Sequence, residues 1–180
     1  MYGIINKALE DLVKDNYGEE KWEAILERSE LEEEFFISNE LYDDSITYRI
    51  AEAISDEMHI PMKDVMHLFG EWWVLRTGKE KYGGLLEAGG ENLKRFLINL
   101  PVFHNRVMMI YPKITPPEFR VSDIEENSLR VHYISKREGL QDFVHGLLTG
   151  LGKMYSTPVE VELIQNRLKG DTHEVYQVTW

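Results

Sequence analysis

Apolar residues recur at helical spacing from the first turn of the chain. Ile4, Ile5, Ala8, Leu9, Leu12 and Val13 mark one face, and Gly18 follows as a stop. The same period predicts helices over roughly 19–28, 45–58, 61–76 and 79–87, with Pro61 in the first turn of the third. A further helix from Glu91 should break near Pro101, because proline removes a backbone donor and clashes one turn back. Asn99 would then cap a short helix through His104, Val107, Met108 and Tyr111. The run YPKITPPEF is too rich in proline to be helical.

In the last third the period shifts from helical to alternating. Strands are predicted near 119–121, 129–135, 158–164 and 174–180, and one amphipathic helix carries Leu140, Phe143, Val144, Leu147, Leu148 and Leu151. The expected class is α+β: an N-terminal helical lobe, then an antiparallel sheet of about four strands with a packed helix. At 180 residues the chain suits one domain over 1–180, with a helical part over roughly 1–60 and a sheet-bearing part over roughly 61–180.

Composition narrows the chemistry. A net charge of -12 argues against nucleic acid, whose phosphates are bound by clustered Lys and Arg. The acidic cluster Glu30–Glu34 reads as a solvated helix end or as a face for a basic partner. Nothing approaches the roughly 20 apolar residues of a membrane-spanning helix, and the start lacks a basic-then-apolar leader, so a cytoplasmic protein is expected. With no cysteine, any transition metal must be held by histidine, carboxylate or tyrosine.

Among six histidines, His104 stands out on the apolar face of its helix, with Leu100 one turn before it and Val107 and Met108 after. That position suits a core histidine bonded to a carbonyl as well as a metal ligand. Tyr133, Ser135 and Arg137 alternate along one strand, so a phenol, a hydroxyl and a guanidinium would share one side. They read either as a receptor for carboxylates or as a solvated polar strand.

Four separated stretches carry a resemblance that decides between these readings. LPVFHNRVMMIYPKITPPEF and HYISKREGLQDFVHGLL resemble the proximal-histidine segment and the Tyr-x-Ser-x-Arg motif of haem nitric oxide/oxygen binding (H-NOX) domains. MYGIINKALEDLV and YDDSITY are similar to the haem domain of the β subunit of soluble guanylate cyclase. The resemblance spans nearly the whole chain. It implies non-covalent haem b between the two lobes, His104 as axial ligand, Tyr133, Ser135 and Arg137 on the propionates, and Pro117 pressed against the porphyrin. Taken by itself, Pro117 is equally a rigid turn.

Oxygen-holding members resemble one another in a distal tyrosine where this chain has Phe143, which has no hydroxyl to donate. Ile5, Leu9 and Phe143 would form an apolar wall that favours nitric oxide, since bound oxygen benefits from a donor. Trp73 is the departure: its indole N–H either faces a ligand or is bonded elsewhere in the core. By resemblance, nitric oxide weakens the iron bond to His104, its helix shifts, and the lobes reorient, with Gly70 permitting close helix packing. The expected output is regulation of a separate partner, a sensor histidine kinase or a cyclic-dinucleotide synthase or hydrolase, or an attached guanylate cyclase if the chain is excised.

Two other classes stay open. Redox or peroxidase-like chemistry needs a distal acid or base, yet His145 lies about 200° around the helix from Phe143. A haem-free interaction module needs no ligand at all.

Overall fold

The computed structural model of the chain describes residues 1–32, 35–110, 113 and 117–180. Tyr111, most of the proline-rich run, and Glu33 and Glu34 of the acidic cluster lie outside the described residues. Helices α1 (Gly3–Tyr17), α2 (Glu19–Ser29) and α3 (Asp44–Met58) come first. Gly18 separates α1 from α2 at a φ of 88°, where a side chain would be strained. The Asp43 carboxylate caps α3 by accepting from the Ser45 N–H.

Helix α4 spans Met62–Trp72, and the expected continuation to Arg76 as α-helix does not occur. Trp73–Gly78 is instead wound as a wider π turn that runs directly into α5 (Lys79–Gly89). Gly78 lies so close to the Trp73 carbonyl that a Cβ there would come within 2.9 Å of it.

The expected break at Pro101 is corrected too. Helix α6 is continuous over Leu93–Ile110 with Pro101 inside it. Phe96, Leu97 and Leu100 before the proline and Val107 after it are all buried, so one apolar stripe anchors both halves. Burial of four such side chains at about 1.5–3 kcal/mol each exceeds the roughly 3 kcal/mol that an internal proline costs. Asn99 caps nothing; its amide donates to the Gly89 carbonyl at 2.9 Å.

The remaining elements are β1 (Glu118–Ser122), β2 (Ser128–Ile134), α7 (Gln141–Met154), β3 (Glu160–Gln165) and β4 (Glu174–Thr179). All pairs are antiparallel, in the order β1-β2-β4-β3, with Arg120 opposite His132 and Val131 opposite Tyr176. The edge strand β3 exposes Glu160 and Glu162 and loses register between Leu163 and Gln165. The fold is therefore α+β. One buried cluster joins the helices to the sheet, from Leu9 and Ile50 through Phe69 and Leu148 to Tyr176 and Val178. No helix among the described residues is long and apolar enough to cross a membrane.

Helices α4 and α7 meet backbone to backbone. A Cβ on Gly70 would strike the Phe143 carbonyl and Gly146, and one on Gly146 would strike the His67 carbonyl. The neighbours are main chain and cannot swing aside, so Gly146→Ala should cost about 1–3 kcal/mol. At about 2–4 °C per kcal/mol for a chain of this size, a thermal melt should fall by several degrees. A melt like that of the wild type would mean that the two helices do not approach this closely.

Candidate functional site

Between the helices and the sheet lies a cavity of about 230 Å³. That is far beyond the water-sized voids of ordinary packing. Its walls come from Ile4 and Ile5 of α1, Trp73 and Val74 of the π turn, Leu100 and His104 of α6, Phe119 of β1, Tyr133 of β2, and Phe143 and Val144 of α7. Pro117 and Arg137 also border it. The lining is overwhelmingly apolar, and its few polar groups converge from different elements, the arrangement expected of a ligand site.

His104 reaches this space because α6 stays helical through Pro101 and sets Leu100 and His104 on one face. Its ring lies edge-on to Phe119, with centroids 4.9 Å apart, and Phe119 stacks in turn near Tyr133 at 5.4 Å. The buried Nδ1 has no hydrogen-bond partner among the described residues. Burial pushes the imidazole down to a pKa of about 4. At neutral pH this ring carries no charge and keeps a lone pair, the state in which histidine binds a metal. No described carbonyl meets Nδ1, and an orphaned imidazole in an apolar cavity fits a metal-bearing planar group.

Arg137 sits at the cavity margin, where its Nε donates to Asp44 Oδ2 at 2.6 Å. Burial raises the Asp44 carboxyl, but the Arg137 guanidinium and the Met1 amino group outweigh it and hold it below the usual carboxylate range. Helix α3 is thereby tied to the turn after β2, reinforced by the Tyr48 hydroxyl donating to the Glu138 carbonyl at 2.7 Å. Ser135 does not border the cavity; its hydroxyl accepts from the Arg137 N–H at 3.0 Å and shapes that turn. Tyr133 is buried, its phenol shares a hydrogen bond with Ser135, and burial raises its pKa. Of the three alternating residues, two face the space and one braces it.

Ile5, Leu100, Trp73, Phe143 and Pro117 border the cavity. Leu9 does not: it is fully buried in the helical core, one turn beyond Ile5. Trp73 packs edge-on to Phe69 at 6.3 Å, and Phe69 against Phe143 at 4.9 Å. Among the described residues no acceptor meets the Trp73 indole N–H. His145 faces away, bonded to His67 at 2.9 Å and to the Val161 carbonyl at 2.9 Å.

Sequence reasoning missed several residues. Tyr2 and Tyr82 line the cavity, Tyr82 from a kink in α5, and the Tyr2 hydroxyl accepts from the Lys113 N–H at 3.1 Å. Arg167, in the short 3₁₀ turn Arg167–Lys169, donates to the Ser135 carbonyl at 2.8 Å, the Arg137 carbonyl at 2.5 Å and both oxygens of the buried Glu174. It clamps the turn that carries Arg137 through the backbone, while Asp44 holds the Arg137 side chain. No local spacing announces these ties, since Asp44 and Arg137 are 93 residues apart.

Comparison with known proteins agrees with this geometry. The family model described as Haem-NO-binding matches residues 2–163. Soluble guanylate cyclase gcy-32 of Caenorhabditis elegans is 28% identical over 176 residues, covering 96% of this chain and 26% of that protein. Soluble guanylate cyclase gcy-35 of the same organism is 28% identical over 172 residues, covering 93% of this chain and 25% of that protein. The chain thus spans about a quarter of the length of these relatives. A crystal structure of the Fe(II) unliganded H-NOX protein from K. algicida superposes with a TM-score of 0.83 at 28% identity, covering 99% of this chain and 95% of that one. The H-NOX protein from S. oneidensis in the Fe(II)NO state gives 0.87 at 21% identity, covering 99% and 98%, a likeness of fold.

Proposed function

The chain belongs to the Haem-NO-binding family of haem-binding gas sensors, and on that premise we propose that it holds haem b non-covalently through His104, reads nitric oxide, and regulates a signalling partner. The observation that carries the reading is His104: a neutral imidazole with an unpartnered buried nitrogen, set in a large apolar cavity. When bound, the haem would supply a ferrous iron with a coordination position open to a diatomic gas.

The protein's own residues do the rest. Tyr133 and Arg137 offer a phenol and a guanidinium at the cavity wall, suited to paired carboxylates, with Ser135 and Arg167 fixing the turn between them. Pro117 adds a rigid ring to the same wall. Preference for nitric oxide is supported by the apolar lining from Ile5 and Phe143, because nitric oxide needs no donor and oxygen gains from one.

His104 couples ligand to fold. It sits on α6, which packs against β1 and α5, so loss of the imidazole's hold on a metal would leave α6 free to move relative to both. The movement is read by a partner, a sensor histidine kinase or a cyclic-dinucleotide synthase or hydrolase in the cytoplasm, or a guanylate cyclase domain of the kind the relatives are named for. The role is regulatory rather than catalytic.

Absorption spectra of the purified protein test this directly. Reduced protein should take up one haem, change its spectrum with nitric oxide and show no stable oxygen complex. A protein that stays colourless with added haem would sink the cofactor assignment; a stable oxygen complex would sink the selectivity, and peroxide turnover would favour an enzyme.

A further inference from the structure

Away from the cavity, two pairs of histidines bond ring to ring, and counting their protons separates them. On the face of the sheet away from Tyr133, His173 Nδ1 lies 2.8 Å from the Thr172 hydroxyl, and its Nε2 lies 2.9 Å from His132 Nδ1. His132 Nε2 lies 2.8 Å from the Ser122 hydroxyl, which donates to Asp123. With one proton on each ring, every contact in this chain is met. Burial and the facing His173 hold His132 below the usual imidazole range, in keeping with a neutral pair.

His67 and His145 do not close in this way. His145 Nε2 meets the Val161 carbonyl at 2.9 Å, His145 Nδ1 meets His67 Nδ1 at 2.9 Å, and His67 Nε2 meets Glu71 Oε1 at 3.2 Å. A carbonyl and a carboxylate only accept, so these contacts need three ring protons where two neutral imidazoles bring two. Lys153 donates to the other oxygen of Glu71 at 2.6 Å, an arrangement that suits a carboxylate. Among the described residues no other charged group bonds to either ring. Glu160 and Glu162 lie on the other face of β3 from Val161, opposite Thr179 and Gln177. Asp142 on α7 accepts from Gln141, Glu57 on α3 meets Lys21 and Arg28, and Asp15 on α1 meets Arg76. Lys63 and Asp64, one turn before His67, are exposed.

The rings bridge α4 and α7 beside their closest approach, where a Cβ on Gly146 would strike the His67 carbonyl. Helix α4 leads into Trp73 and Val74, and α7 carries Phe143 and Val144, all on the cavity wall.

We propose that His67, His145 and Glu71 hold one proton more than two neutral rings supply, and that this proton makes the α4–α7 contact sensitive to pH. As pH rises the extra proton leaves and one of the three bonds is lost. The proton left on His67 turns to Glu71, because a charged acceptor is the stronger one. The bond between the helices then opens, since two ring lone pairs would face each other across 2.9 Å. The folded chain binds this proton more tightly than the unfolded one, so its stabilising effect is present at low pH and lost as pH rises. Its reach into gas binding rests on the haem-sensor reading: helices that part here carry Trp73 and Phe143 with them.

Ring-nitrogen NMR spectra of the reduced, haem-loaded, carbon monoxide-bound protein near neutral pH count the protons. His67 should show both nitrogens protonated, and His145, His132 and His173 one each. Glu71→Gln keeps the shape and lets an amide donate to His67 Nε2, so in that variant His67 should show one. The melting midpoint of the wild type relative to Glu71→Gln should fall from mildly acidic to mildly alkaline pH. Carbon monoxide affinity should change about two- to tenfold over that range in the wild type and less in the variant. A single proton on each of His67 and His145 in the wild type, or a midpoint difference constant with pH, would overturn the inference. An affinity indifferent to pH would overturn its link to the cavity. If the chain takes up no haem, the haem reading fails, and the same spectra and melts of the haem-free chain still decide the proton count.

Discussion

His104→Gly is expected to lose haem on purification and to recover it when imidazole is added. The substitution removes the one imidazole among the described residues that line the cavity, while glycine in mid-helix costs only about 1 kcal/mol. The fold should therefore survive and be measurable separately by circular dichroism. Outer partners of a metal ligand already change affinity by about 10–100-fold when removed, so loss of the ligand should exceed that range. Haem absorbance per protein before and after imidazole gives the answer. Full haem content in the variant, with an unchanged spectrum, would mean that another side chain holds the iron.

Arg167→Met should be the most destabilising single change outside the cavity. Glu174 is almost completely buried, and Arg167 is the cation that meets both of its oxygens, at 2.9 and 3.0 Å. Removing one partner of a buried pair costs about 3–5 kcal/mol, because the remaining charge has lost its water and its counter-ion. The carbonyls of Ser135 and Arg137 lose their donor at the same time. A thermal midpoint about 6–20 °C lower follows from the usual slope for a chain of this length. Replacing Glu174 by Leu in the same molecule should recover most of the loss, since paired apolar replacements are often neutral. If Arg167→Met melts with the wild type, the pair contributes nothing and the turn after β2 is held by other contacts.

These two residues also divide what the sequence discloses from what it conceals. The inward position of His104 is legible because a helical apolar stripe announces which face is inward. Arg167 is invisible because its three partners are brought together by sheet pairing, far from any local period. The helices and strands are legible for the first reason, with ends within a few residues. Pro101 misleads because its local cost is real but smaller than the burial of the stripe on either side. The π turn is hidden because the wider winding leaves the apolar pattern almost unchanged and marks itself only by Gly78. Leu9 shows the limit of periodicity: the pattern places it inside, but cannot distinguish a packed core from a cavity wall one turn away. Trp73 is ambiguous for a related reason, as a sequence states that an indole is present and only coordinates state what it bonds.

Strand β3 closes one side of the sheet with Glu160 and Glu162 outward and its register interrupted at Leu163. Two copies meeting there in antiparallel fashion, centred on Val161, would set Glu160 of each against Glu162 of the other, at a cost. The β3 border of the sheet is thus set against pairing with a second copy of itself.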